Sequence, residues 1–244
     1  MAKTRASKWQ LATVKEIRVE TDSVKTFVLA LPEWAPHLAG QHYIVRLTAE
    51  DGYQARRSYS IASAPERKNI IELTVERLED GEVSSYLHDF LKVGDKIEVR
   101  GPQGGYFVWK SAYKSPLWLI AGGSGIVPLM AMLRHRQNLP DPVPAKLLYS
   151  IKSPSTEIYG EELAQLAKKD SGFAIRRTYT QKTPARWAGD QRRVDKIMLQ
   201  EELARFPSHP LVYICGPTAM VEFVAFTLVE LGMPGVRIRT ERFG

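Results

Sequence analysis

The chain has 244 residues, which is enough for one large domain or two of ordinary size. Its single cysteine, Cys215, excludes an internal disulfide and any iron–sulfur or zinc site with four cysteine ligands. The apolar stretches at residues 117–121 and 221–229 are too short to span a membrane. No apolar region of a signal peptide follows the basic residues at the start, so we expect a cytoplasmic protein.

The formal net charge of +7 is unevenly distributed along the chain. Residues 1–111 hold 16 Lys and Arg against 15 Asp and Glu, whereas residues 112–244 hold 18 against 12. This excess in the second half favours anionic partners: nucleotides, nucleic acid or an acidic protein. An ordinary solvated surface would carry the same charge, so charge alone does not decide between them.

Short β-type runs separated by turn residues fill the first half of the chain. We predict strands at residues 9–19, 25–31, 41–47, 56–61, 70–77 and 96–100, and a short helix at 84–90. Six short strands of this kind predict a small antiparallel barrel or sandwich.

Strands and helices alternate in the second half. We predict strands at residues 117–121, 145–151, 173–179, 211–215 and 236–240, and helices at 128–137, 158–169, 195–206 and 218–231. Alternation of this kind predicts a parallel sheet with helices on both faces. The chain is thus expected to have two domains, residues 1–111 and 112–244, with the boundary near residues 110–116.

A glycine-rich turn, Ala121-Gly122-Gly123-Ser124-Gly125-Ile126-Val127-Pro128, follows the first strand of the second half and opens a helix. Glycines let the backbone approach a phosphate, and the helix N-terminus offers free N–H groups. The acidic residue that a common dinucleotide fold places about 20 residues later is missing, because Tyr149-Ser150-Ile151-Lys152 lies there. A glycine turn that binds no ligand is the alternative.

Arg57-Ser58-Tyr59-Ser60 ends a β-run in the first half. Arginine can pair with a phosphate, a tyrosine ring can stack on a flat cofactor, and a serine hydroxyl can hydrogen-bond a ring nitrogen. Ordinary alternating strand residues would give the same pattern.

Two further motifs lie at helix starts. In Gly81-Glu82-Val83-Ser84-Ser85, Ser84 is a candidate N-cap of the short helix, whose free N–H groups could hold a second anion. Cys215-Gly216-Pro217-Thr218-Ala219-Met220 lies at the end of an apolar strand, where ligands bind in open α/β sheets. A buried, inert cysteine is the alternative there.

Together these four motifs, in their order along the chain, resemble the ferredoxin–NADP(+) reductase superfamily from about Trp9 to Phe243. The resemblance implies an N-terminal antiparallel β-barrel that binds flavin and a C-terminal α/β domain that binds a nicotinamide nucleotide. Residues 1–111 would bind FAD, residues 112–244 would bind NAD(P), and no metal site is implied. NADPH or NADH would be the hydride donor.

On the flavin side, the resemblance implies that Arg57 contacts the phosphate, Tyr59 packs on the isoalloxazine and Ser60 lies near its N5 atom. The loop from Gly81 to Ser85 would hold the pyrophosphate, which favours FAD over FMN. The other implied FAD-binding residues are Ser58, Thr74, Val75, Glu76, Gly81, Val83, Ser84, Ser85 and Phe243.

On the nucleotide side, the resemblance assigns the pyrophosphate to the glycine-rich turn and places Cys215 near the nicotinamide. Ser60, Cys215 and Glu241 would be the catalytic residues, with Cys215 orienting the nicotinamide rather than acting as a covalent nucleophile. The implied NAD(P)-binding residues are Gly122, Gly123, Ser124, Gly125, Ile126, Thr180, Cys215, Gly216, Pro217 and Met220.

The coenzyme preference stays open. NADPH-specific relatives often carry Ser/Thr-Arg after the third strand of this domain, and here the pair is Thr180-Gln181. Six basic residues lie within 18 positions with only Asp190 between them in sequence: Arg176, Arg177, Lys182, Arg186, Arg192 and Arg193. One of them could meet a 2′-phosphate, or all could be solvated.

Because the chain cannot build a four-cysteine cluster, we expect electrons to pass to a separate redox protein. The candidates are a ferredoxin, a flavodoxin, or an oxygenase or molybdoenzyme component, acidic in surface charge. A reductase of free flavin is an alternative, against which the Gly81–Ser85 pyrophosphate site argues. A non-catalytic nucleotide-binding module is another. Nucleic-acid binding is disfavoured because few aromatic residues lie among the basic ones.

Overall fold

The computed structural model describes residues 8–243 and divides into two compact units. Unit 1 holds residues up to Trp109 together with Met130–His135. Unit 2 holds Lys110–Leu129 and the residues from Arg136 onward. The cofactor assignment of residues 1–111 and 112–244 stays a prediction.

Unit 1 is a six-stranded antiparallel sheet with one helix. Its elements are β1 (Gln10–Thr21), β2 (Val24–Ala30), β3 (His42–Thr48), β4 (Gln54–Ser60), β5 (Ile70–Glu76), α1 (Glu82–Asp89) and β6 (Lys96–Gln103). The strand order is β4-β3-β6-β1-β2-β5, and every neighbouring pair is antiparallel. Just past β4, Ile61 bridges to Leu73 of β5, which brings the two edge strands together as a barrel requires.

The core of unit 1 follows from strand alternation. Phe27 and Leu29 of β2, and Ile71 and Leu73 of β5, point to the same buried interior because successive side chains alternate between the faces of a strand. Helix α1 adds Val83 and Leu87, which lie one turn apart on one helical face.

The predicted N-cap of α1 was wrong. The cap residue is Gly81, and Ser84 lies inside the helix. The Ser84 hydroxyl accepts from the Leu78 N–H at 3.1 Å and donates to the Gly81 carbonyl at 3.2 Å. A Cβ atom at position 81 would lie 2.3 Å from Ser84 Oγ, so a larger residue there would displace the Ser84 side chain.

Unit 2 is built on a five-stranded parallel sheet. Its strands are β7 (Leu117–Gly122), β8 (Ala145–Ile151), β9 (Phe173–Tyr179), β10 (Leu211–Pro217) and β11 (Ile238–Phe243). The order is β11-β10-β7-β8-β9. The helices are α2 (Ile126–Gln137), α3 (Gly160–Lys169), α4 (Lys196–Leu203) and α5 (Thr218–Glu230). An antiparallel β unit followed by a parallel α/β unit confirms the predicted fold class.

Several element bounds in unit 2 differ from the prediction, and three of the differences have a clear local reason. Tyr159 has φ of 60°, a left-handed conformation, so α3 begins only at Gly160. Asp195 lies outside α4 because its side chain caps the helix, accepting from the Met198 N–H at 2.8 Å. A 3₁₀ turn at Gly235–Arg237 delays β11, which then runs to Phe243.

The strands at the centre of unit 2 are buried on both faces. All six residues of β7 are buried, which explains why its sequence is a continuous apolar run rather than an alternating one. Among residues 8–243, no helix combines the length and the apolar character needed to cross a membrane. The cytoplasmic location stays a prediction.

Arg136 is almost fully buried in unit 2 and depends on Asp170 for its charge partner. Its side chain is 1% exposed, its Nε donates to the Val143 carbonyl, and its Nη1 pairs with Asp170. The same guanidinium holds the pKa of Asp170 below its usual value.

We therefore expect Asp170→Asn to lower the free energy of unfolding by about 2 kcal/mol at pH 7. Because the pKa of Asp170 is depressed in the folded state, its contribution is complete above the unfolded-state pKa and is lost as the pH falls through the folded-state pKa. The difference from wild type should shrink in acid. Denaturant unfolding at pH 7 and pH 3 measures this. Asp141→Asn, at an exposed residue, is the control, and equal effects of both variants at pH 7 would contradict the expectation.

Candidate functional site

In unit 1, β4 presents the predicted flavin motif. Strand alternation places Arg57 and Tyr59 on one face and Ser58 and Ser60 on the other. Arg57 is exposed, its Nη1 donates to the Arg56 carbonyl at 2.8 Å, and no carboxylate among the described residues pairs with it. Tyr59 is half-buried, and burial raises the pKa of its hydroxyl to about 12, so its ring stays neutral.

The start of α1 lies beside β4, so the structure brings two predicted motifs together. The Tyr53 hydroxyl donates to both carboxylate oxygens of Glu82, the first residue of α1, at 3.1 and 3.2 Å. Arg57 interacts electrostatically with both Tyr53 and Tyr59. The guanidinium of Arg57 and the N–H groups at the start of α1 therefore lie near each other. Groups of these two kinds bind anions.

Several predicted flavin residues have side chains that are engaged elsewhere. Thr74 is buried, and its hydroxyl lies 2.7 Å from that of Thr26. Val75 and Val83 belong to the hydrophobic core of unit 1. Ser85 donates its hydroxyl to the Leu78 carbonyl at 3.1 Å. The structure therefore does not present Thr74, Val75 or Val83 side chains to a ligand. Glu76 ends β5 and is half-buried.

In unit 2, the glycine-rich turn packs tightly against the end of β10 and the start of α5. A Cβ atom at Gly125 would lie 2.1 Å from the Cys215 carbonyl oxygen, and one at Gly122 would lie 2.5 Å from Met220 Sδ. Gly123 has φ of +53°, a conformation that favours glycine. The two predicted nucleotide-binding motifs are thus one packed structure, in which the backbone of Cys215 leaves space only for glycine at position 125.

Cys215 lies at the carboxyl end of β10, opposite Ala121 of β7 and Glu241 of β11. It is 2% exposed. Burial, followed by the negative charge of Glu241, raises the pKa of its thiol well above the usual value. The group is therefore a neutral thiol at physiological pH. This agrees with an orienting role and argues against a thiolate nucleophile. Phe243 lies opposite Pro217 and is partly exposed.

Tyr149 is a supporting residue that the sequence did not reveal. It is fully buried at the end of β8, and its hydroxyl donates to the Gly123 carbonyl at 3.2 Å and accepts from the Ile158 N–H at 3.3 Å. It therefore holds the glycine turn from the neighbouring strand. Nothing in the sequence distinguished it from other core tyrosines.

Basic residues near β9 also pair with carboxylates that lie outside residues 176–193. Arg176 pairs with Asp190 and also with Glu201 and Glu202. The same region holds two further ion pairs, Arg177 with Glu157 and Arg192 with Asp195. Asp195 is close to Arg192 in sequence, whereas the three glutamates are 20 or more residues from their arginines, so a sequence window could not show those pairs.

Three basic residues of this region stay without an ion-pair partner among the described residues: Lys182, Arg186 and Arg193. Thr180 follows β9, where its N–H and hydroxyl both donate to the Ile151 carbonyl, at 2.8 and 3.3 Å. Within residues 8–243, no three His, Cys, Asp or Glu side chains are grouped to hold a metal ion.

Comparison with known proteins agrees with this geometry. Residues 11–108 match the family model described as the oxidoreductase FAD-binding domain, and residues 119–225 match the oxidoreductase NAD-binding domain. The chain belongs to the ferredoxin–NADP(+) reductase superfamily. It combines the FAD-binding and the NAD-binding domain of the oxidoreductase families.

The chain is 30% identical over 236 residues to the phenol hydroxylase P5 protein of Acinetobacter pittii, covering 95% of the chain and 65% of that relative. It is 29% identical to the reductase component of propane 2-monooxygenase from Mycolicibacterium smegmatis, over 70% of the chain and 49% of that relative. The chain thus spans less than two thirds of the length of these relatives.

A solved structure shares the fold of the whole chain. The FAD/NAD-binding domain of nitric oxide dioxygenase from Vibrio cholerae is 26% identical and superimposes with a TM-score of 0.82. The match covers 98% of this chain and 100% of that one.

The residues described above fit the two cofactors. Arg57 and the start of α1 fit the phosphates of FAD, because they offer positive charge and free N–H groups. The glycine turn of unit 2 fits the pyrophosphate of a nicotinamide nucleotide, because its backbone is free of side chains at positions 122, 123 and 125.

Arg57→Ala should weaken FAD retention by roughly tenfold or more, since a charge-assisted hydrogen bond contributes about 1.5–3 kcal/mol. The dissociation constant of FAD, measured by fluorescence titration of deflavinated protein, tests this. Arg56→Ala is the matched control, because Arg56 is also exposed but lies on the opposite face of β4. The same affinity in both variants would remove Arg57 from the phosphate site.

Proposed function

We propose that this reductase takes a hydride from NAD(P)H onto the N5 atom of bound FAD and passes the electrons to a separate redox protein. The observation that carries the proposal is the glycine turn of unit 2, which packs against Cys215 and Met220. Unit 1 adds Arg57, which lies beside a helix start and has no carboxylate partner among the described residues. Each unit therefore has its own phosphate-binding geometry.

The side chains of this chain would bind and orient FAD and the nicotinamide nucleotide. Arg57 would hold the flavin phosphate, and the neutral ring of Tyr59 would pack against the isoalloxazine. Ser60 would donate a hydrogen bond to the flavin N5 atom. Cys215, as a neutral thiol, orients the nicotinamide, and Glu241 lies beside it in register. Positioning of this kind is the protein's main contribution when a cofactor supplies the chemistry.

An oxygenase component is the acceptor class that the relatives favour, since one of them is named as the reductase component of a monooxygenase. The other candidate acceptors are a ferredoxin, a flavodoxin and a molybdoenzyme component. The single cysteine leaves these 244 residues without a four-cysteine cluster, which supports transfer of the electrons to a carrier outside them. The basic excess of residues 112–244 supports an acidic partner.

The decisive experiment is an anaerobic visible spectrum of the purified protein, with NADH and NADPH added to separate samples. We expect a flavin spectrum that bleaches rapidly with at least one nucleotide, and the faster nucleotide identifies the coenzyme. A purified acceptor should then reoxidise the protein faster than oxygen does. A colourless protein would favour the reduction of free flavin. A yellow protein that neither nucleotide bleaches would favour a non-catalytic module.

Cys215→Ala should slow flavin reduction about tenfold while FAD stays bound, because loss of the thiol loosens the nicotinamide. Anaerobic stopped-flow absorbance measures the limiting rate of reduction. Cys215→Ser is the matched comparison and should recover part of the rate, since a hydroxyl preserves the size and the donor of the thiol. An unchanged rate in the alanine variant would exclude Cys215 from the reaction.

A further inference from the structure

A buried carboxylate in unit 1 holds three arginines beside the segment that follows Ser60. Glu72 of β5 has a side chain 4% exposed. Its Oε1 accepts from Arg18 at 2.8 Å and also from Arg67, and its Oε2 accepts from Arg134 at 2.9 Å. Burial by itself would raise the pKa of Glu72, but the arginines hold it below its usual value.

The direction of the Glu72 side chain follows from the alternation of β5. Its neighbours Ile71 and Leu73 face the hydrophobic core, so Glu72 points to the other face of the sheet. That face is also buried at this position, and a buried carboxylate is tolerated only with strong partners. Arg134 reaches it from Met130–His135, the part of α2 that belongs to unit 1.

The same cluster fixes the backbone just after the flavin motif. The Ala62 N–H donates to the Glu72 carbonyl at 2.8 Å, and Arg134 Nη1 donates to the Ala62 carbonyl at 2.9 Å. The Glu72 N–H donates to Ser63 Oγ at 3.2 Å. Ala62 and Ser63 are almost fully buried. Arg134 Nη1 therefore touches both the Glu72 carboxylate and the carbonyl of the second residue after Ser60.

We propose that Arg134, held in place by Glu72, is a positioning residue that fixes the Ser60 hydroxyl for the flavin N5 atom. This inference rests on the proposed function. Ser60 is the last residue of β4, and the chain beyond it has its direction set by the bonds at Ala62. A misplacement of about 1 Å in a reacting geometry can slow a reaction by up to a hundredfold.

Arg67 provides a matched control for substitutions of Arg134. It pairs with the same carboxylate oxygen as Arg18, but no hydrogen bond joins it to Ala62 or Ser63 in the described chain. Arg134→Gln and Arg67→Gln each remove one ion pair from Glu72. Only Arg134→Gln also removes the donor to the Ala62 carbonyl.

The test compares the two variants with wild type by anaerobic stopped-flow reduction with NADH and with NADPH. We expect Arg134→Gln to lower the limiting rate of flavin reduction roughly tenfold, with FAD content and nucleotide dissociation constant unchanged. Arg67→Gln should stay within about twofold of wild type at a similar loss of thermal stability. Arg134→Lys, which keeps a donor, should recover part of the rate.

Equal limiting rates in Arg134→Gln and Arg67→Gln would overturn the positioning role. If Arg134→Gln does not fold, Arg134→Lys and Arg67→Lys carry the same comparison, and equal rates there overturn the role as well. Failure of the proposed function looks different, because wild type itself would then not be reduced by either nucleotide.

Discussion

The contact between Gly125 and the carbonyl oxygen of Cys215 leaves no space for a side chain, and the nucleotide side of the molecule depends on it. This close approach joins the turn after β7 to the carboxyl end of β10. Tyr149 supports the same turn from β8 through the Gly123 carbonyl. Backbone groups therefore converge at the carboxyl ends of adjacent parallel strands, where open α/β sheets bind their ligands.

Four arginines of unit 1 differ in their partners. Arg18, Arg67 and Arg134 neutralise one buried carboxylate and hold the chain in place. Arg57 is exposed and has no carboxylate partner among the described residues. An arginine whose charge is already satisfied stabilises structure, whereas one left in solvent beside a helix start is available for a phosphate. Whether an arginine stabilises the fold or is available to bind a phosphate thus depends on whether a carboxylate already neutralises its charge.

Secondary structure was predictable because its causes are local. Alternating apolar residues indicated the strands of unit 1, and continuous apolar runs such as β7 indicated a buried parallel sheet. Some bounds shifted where a single residue decided them, as with the left-handed Tyr159 and the capping Asp195. Ser84 was misjudged as a cap, since Gly81 made the turn possible three residues earlier and Ser84 bonds back to it.

The sequence by itself determined the order of elements, the fold class and the four motifs, because each depends on residue type and spacing along the chain. Only the tertiary structure decided which charges stay unpaired. Arg176 and Arg177 meet carboxylates from distant segments, and Glu72 gathers arginines from three separate segments. The role of Tyr149 and the tight fit of Gly125 are likewise contacts between separate strands and turns. Such contacts join residues far apart in sequence, and local patterning carries no record of them.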